Sequence, residues 1–248
     1  MYLRYLDDER IAVSRGLVRD TSYIHKFGAV PAMSTSATGT VWDINDTLYP
    51  WSAFANSSVL TANTTASNGS AATDDNGKTI TIIGLDNNYE SLEETITISA
   101  GTATTTNSFK RVFRAFTSAD NINQFRVSTA AGTEVLRVNI GLAQTLMAIY
   151  TVPAGYKAYI LKGTASCQFN GDATGNLHVR YGGAGAFRVG HTFEVSGAGG
   201  EYTYDFPIPI ELPEKTDIDV RCTMRSNNSR LTTAFDLILI NQNGTGER

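Results

Sequence analysis

Thr79-Ile80-Thr81-Ile82-Ile83-Gly84 and, further along, Glu94-Thr95-Ile96-Thr97-Ile98-Ser99 alternate polar residues with branched apolar ones, and this period of two decides the fold. A strand turns successive side chains to opposite faces, so such a run buries one face and wets the other; on a helix the same isoleucines would scatter around the axis. β-Branched side chains also suit a pleated surface. The pattern returns at Phe109–Phe116, Gln124–Ser128 and Glu134–Ile140, each run bounded by Gly, Asn or Asp of the kind that closes turns. A second series starts at Thr145 and passes through the Pro153-Ala154-Gly155 turn to Tyr156–Phe169. It continues with Leu177–Tyr181, Ala186–Val195, Tyr202–Ile210, Ile218–Arg225 and Thr233–Ile240. Roughly ten-residue spacing with Gly-rich turns is the pattern of a sandwich or jelly roll, and Pro207 and Pro209 place their run at a sheet edge.

The pattern pauses near Gly141, and before residue 51 it is not sustained. The expected organisation is therefore all-β: an extended N-terminal arm over 1–50, a small β-sandwich over 51–140, and a β-sandwich or jelly-roll-like domain over 141–248. Within the arm, Asp7, Asp8 and Glu9 favour the start of a short helix reaching Leu17. The low-complexity stretch 57–77 reads as a surface loop or edge strand ending in the Asp75-Asn76-Gly77 turn. The arm carries Tyr23, Ile24, Phe27, Trp42, Tyr49 and Trp51, too much apolar surface to leave in water. Two burial modes are open, folding back on the chain's own domain or lying along a neighbouring subunit, and in the second those six residues are the partner-binding set.

Charged residues make up 18% of the 248, below the usual share of about a quarter, so long solvated helices are disfavoured. A net charge of −4 offers phosphate backbones or anionic lipid no cationic surface, which argues against nucleic acid and membranes as partners. No apolar run reaches the length of a membrane helix, and the acidic start lacks a signal-peptide pattern, so the whole chain is expected to fold inside a cell. Cys167 and Cys222 sit in strand-like runs and read as a buried thiol pair, with a single disulfide as the alternative.

No catalytic, cofactor or metal site emerges. His25, His178 and His191 have no companion at a ligand interval, and no nucleophile elbow, phosphate loop or zinc motif is present. Glu90, Glu93, Glu94, Asp217 and Asp219 read as solvated faces. Asp74 and Asp75 read as a turn, with calcium a residual alternative. Arg180 and Arg188 beside Tyr181 and Phe187 read as cross-strand stacking, or else as a partner or glycan patch; Tyr181, Tyr202 and Tyr204 make a carbohydrate-binding module the reading from a different class.

Three stretches carry a resemblance. They are His25-Lys26-Phe27-Gly28-Ala29-Val30-Pro31 with Thr40-Val41-Trp42-Asp43 and Tyr49-Pro50-Trp51; Ile82–Asp86 with Glu93–Ile98 and Thr105–Arg111; and Leu146–Lys157. Together they resemble a group of tailed-bacteriophage virion structural proteins across about the first two thirds of the chain. The resemblance implies a non-enzymatic part of the virion, decorating or cementing the capsid, with a tail adaptor or fibre bearing a receptor- or glycan-binding C-terminal sandwich as the alternative. It implies the major capsid protein or other virion proteins as partners, no cofactor, and self-association, as a trimer by family analogy.

Overall fold

The computed structural model describes residues 9–168, 171–197, 199–226 and 229–242. The leading segment forms α1 (Glu9–Ser14), β1 (Thr21–Met33) and β2 (Thr38–Thr40). The middle of the chain forms β3 (Leu60–Thr65), β4 (Thr79–Leu85), β5 (Ser91–Thr97), β6 (Thr102–Thr104), β7 (Arg111–Thr117), β8 (Gln124–Thr129) and β9 (Glu134–Val138). The remainder forms β10 (Ile149–Thr151), β11 (Tyr156–Cys167), β12 (Ala173–Arg180), β13 (Arg188–Val195), β14 (Glu201–Leu212), β15 (Asp217–Met224) and β16 (Ser229–Asn241). The chain is all-β. Instead of the two sandwich or jelly-roll-like units expected, its strands make four small antiparallel sheets, ordered β1-β16-β11-β14, β10-β15-β12-β13 with β2 beside β15, β6-β3-β8-β9, and β5-β4-β7.

The leading segment differs from the arm expected of it. β1 pairs with β16 from Thr21 opposite Ile240 to Val30 opposite Leu231, and β2 pairs with β15 through Thr38, Gly39 and Thr40. Of the two burial modes, the chain uses the fold-back. Residues 21–50 complete sheets built from the last third, and residues 58–140 are inserted between the two parts. Alternation hides in β1 because its inward positions include Lys26 and Gly28, both buried and neither an apolar marker. Gly28 is required there: a Cβ would overlap the backbone of Ala148 and Val41.

The expected helix shrinks to six residues, with Asp7 and Asp8 outside the described residues. Gly16 ends it at φ +68°, in the left-handed region, where Leu17 N–H reaches back to the Ala12 carbonyl. The low-complexity stretch also supplies more than a loop. β3 lies between β6 and β8, because Leu60, Ala62 and Thr64 alternate inward.

One buried ionic network joins the inserted part to the rest. Asp217, fully buried on β15, accepts a two-pronged contact from Arg111 on β7 (2.8 and 3.1 Å), two bonds from Arg180 on β12 (2.9 and 2.6 Å) and one from the Thr151 hydroxyl on β10 (2.7 Å). The other Arg111 donors go to the carbonyls of Lys110, Phe54 and Gly183, so its guanidinium is saturated. Asp219, equally buried, accepts from Thr40 (2.8 Å), Trp51 Nε1 (2.9 Å) and Arg221 (2.8 Å). The cations alternate with rings: Arg111 lies over Tyr89 and Trp51, Arg180 over Trp51 and Phe187, and Arg221 over Phe187, at 4.5 to 5.6 Å.

Removing one partner of a buried pair leaves the other charge desolvated, at a cost of about 3–5 kcal/mol. Asp217→Ala is therefore expected to lower the urea midpoint of unfolding severely or to prevent folding. Glu211→Ala, which removes an exposed pair with Lys157, is expected to leave the midpoint within error.

Candidate partner interface

The six aromatic and apolar residues expected to bind a partner divide into two groups. Trp42, Tyr49 and Trp51 lie in the chain's own core. Tyr49 stands edge-on to both indoles at 5.1 and 4.9 Å, and the Trp42 and Trp51 N–H groups are taken by the Thr47 carbonyl and Asp219. In this fold they present nothing to a partner. Tyr23 is exposed, and Ile24 and Phe27 are half-buried; all three line a cavity along β1. Burial first, then a hydrogen bond to Asp236, pushes the Tyr23 phenol up to about 12.

The most exposed large apolar side chain, Ile208, lies elsewhere, on one of two neighbouring strands that each end a sheet. β13 borders β12 only and β14 borders β11 only, and aromatic side chains span the gap between them. His191 lies 5.0 Å from the rings of both Tyr204 and Phe206, and its Nε2 hydrogen-bonds the Tyr202 hydroxyl at 2.6 Å. Phe193 stacks on Tyr202 at 5.5 Å. On β14 the register jumps: Ile160 faces Ile210 and Lys162 faces Asp205, so Phe206-Pro207-Ile208-Pro209 arch over the single residue Leu161. Ile208 is 85% exposed at the crest. The two prolines lack N–H groups, so the arch cannot extend a β-ladder. Val189 and Tyr204 add further exposed apolar surface.

The remaining candidates are structural. Asp217 and Asp219 are buried where solvated faces were expected, because β15 lies inside its sheet with both faces covered. Arg180 is committed to Asp217 and to two rings, in keeping with cross-strand stacking, while Arg188 is exposed. Asp75 accepts from Lys78, the Ile122 and Asn123 backbone N–H groups and the Asn123 amide. Burial opposes its charge, but these donors prevail and hold the carboxyl below its ordinary range. Its oxygens are thus occupied by donors that a calcium ion would have to displace. Among the described residues no cluster of three or more His, Cys, Asp or Glu could hold a metal, and no helix is long and apolar enough to cross a membrane. Both cysteines are free and buried; burial drives their thiols up, Cys167 to about 11 and Cys222 to about 12. Glu94 accepts from the Thr106 and Asn107 N–H groups and so pins a loop.

No protein-family model and no curated protein matches the chain. Among solved structures, shells of viruses align with it. The empty particle of cowpea mosaic virus aligns at 8% identity and TM-score 0.23, over 73% of this chain and 79% of that one. The VP2 subviral particle of infectious bursal disease virus aligns at 9% identity and TM-score 0.25, over 92% of this chain and 73% of that one. TM-scores this low carry no inference of shared function.

Of this face, Tyr202, Tyr204 and the two prolines stand out in the sequence, and Ile208 does not. The Pro-Ile-Pro alternation was the available signal, since proline at both flanks denies the isoleucine a place in a ladder.

His191 and His178 each have a lowered pKa, His191 from burial and His178 from burial and then Arg221. The unfolded chain therefore takes up protons first, at about 6.5, and stability present above that value is lost as pH falls through the folded pKa values. Between pH 7.5 and 5.5 the urea midpoint of a His178→Gln/His191→Gln double variant is expected to change in the stabilising direction relative to that of the wild type, because the wild type alone carries this histidine loss.

Proposed function

We propose that this chain is a non-enzymatic structural component of a virus particle, and that it joins further copies of itself through the β13–β14 face. The observation that carries the reading is the arch at Ile208: a chain that buries both tryptophans, Asp217 and Arg111 raises one isoleucine on a proline-braced crest. Fully exposed aliphatic groups beside exposed aromatics mark contact surfaces, and rings of this kind act as anchors in interface centres.

A second copy is the occupant this face favours. Exposed Arg188 on β13 and exposed Glu201 on β14 carry opposite charges at these two sheet ends, which a symmetry-related copy can complement. The finer role, decorating or cementing the capsid of a tailed bacteriophage alongside its major capsid protein, draws its support from the three sequence stretches that resemble such proteins. The trimer is the assembly implied by the same resemblance.

Sedimentation velocity over a concentration series tests the contact. The wild type is expected to self-associate, and Ile208→Asp, whose site touches no core, to sediment as a monomer with an unchanged melting temperature. A wild type that stays monomeric at every concentration would overturn self-association through this face. Recovery of the chain's peptides from gradient-purified virus particles is expected; their absence would overturn the virion role.

A further inference from the structure

The free edge of β1 leaves a cavity of about 380 Å³ where the inserted part of the chain meets the rest. Its size falls in the range of small-molecule sites. The apolar walls come from Ile24 and Phe27 on β1, Phe113 on β7, Tyr150 on β10 and Leu239 on β16. The charged groups on the lining are all cationic or can become so: Lys26 and His25 on β1, and Arg114 on β7. No carboxylate lines it.

Lys26 is the unusual member. It is 7% exposed, and its ammonium donates to the Phe113 carbonyl at the cavity wall. An ammonium has three donors, and among the described residues the Phe113 carbonyl is the one hydrogen-bond acceptor it meets. Burial first, then the charge of Arg114, lowers the Lys26 pKa to about 7, while Asp43 pulls the other way. Asp43 is a weak counter-charge. It is buried, accepts the Leu146 N–H at 2.7 Å, and is driven toward its neutral form by that burial. His25 is already engaged with Asp236. The cavity therefore combines a hydrocarbon wall with two cations, Lys26 and Arg114, that lack a matching anion on its lining.

We propose that this cavity binds a small amphiphilic carboxylate, its anion set between Lys26 and Arg114 and its hydrocarbon against Phe113, Tyr150 and Leu239. The three solvent-accessible members of the sequence-marked set, Tyr23, Ile24 and Phe27, thereby serve a ligand rather than a subunit. The site lies within one chain and does not depend on the assembly reading.

Calorimetric titration of the full chain with octanoate, octanol and octylamine tests charge and chain together. Octanoate is expected to bind at least tenfold more tightly than octanol, and octylamine not to bind. Lys26→Met keeps the length and apolar stem of the buried side chain, and is expected to weaken octanoate at least tenfold while leaving octanol unchanged. Arg114→Gln, on the exposed side of β7, is expected to weaken octanoate several-fold with no change in melting temperature, so the charge test survives if Lys26→Met fails to fold. Equal binding of octanoate and octanol, no octanoate binding at millimolar concentration, or octanoate affinity unmoved by Arg114→Gln would each overturn the proposal.

Discussion

A carboxylate with no solvent contact has to be surrounded by donors, and Asp217 draws them from three separate strands. Arg111 comes from the inserted part of the chain, Arg180 from the neighbouring strand β12, and Thr151 from β10. Desolvating these charges offsets much of their mutual attraction, so the network adds little net stability; its effect is to admit one arrangement. A slip of β7 by one residue would turn Arg111 to the opposite face and deprive two buried charges, Arg111 and Asp217, of their mutual contact. The rings tighten this selection, because each guanidinium lies against an aromatic face whose position is set by another part of the chain.

The leading segment follows from the same constraint. Asp219 needs the Thr40 hydroxyl and the Trp51 indole N–H, and both lie in the first 51 residues. Once they are docked, β2 lies beside β15 and β1 extends the sheet of β16. The first strand then ends its sheet, and over Ser22–Phe27 its outer side meets the seam with the inserted part. The cavity there and its cationic lining are consequences of closing a sheet with a segment that carries His25-Lys26 where a core strand would carry aliphatic residues.

Strand content was legible in the sequence because alternation reports which face of a strand is wet, and most strands here have one wet face. The reading fails where that premise fails. β15 is covered on both sides, so Asp217 and Asp219 looked like solvent-facing partners of Ile218 and Val220. β1 carries a lysine and a glycine on its inner side and so looked patternless. Neither residue type reports its burial; a lysine does so only through the carbonyl it meets, and a glycine only through the backbone it lets approach. The grouping of strands into four sheets was out of reach for a related reason: pairing of residue 21 with residue 240 is a property of the whole chain, and no local window contains it.

The arch on β14 can be weighed against the ordinary hazard of an edge strand. Exposed edges invite indiscriminate pairing through unpaired N–H and C=O groups, and proline removes the N–H that such pairing needs. Had selection acted only against aggregation, a lysine or glutamate between Pro207 and Pro209 would serve better than isoleucine, since it adds charge to the block on hydrogen bonding. An isoleucine at 85% exposure does the opposite: the backbone is closed to ladders while the side chain stays open to a fitted surface. That combination suits a contact made by shape and apolar area rather than by strand addition.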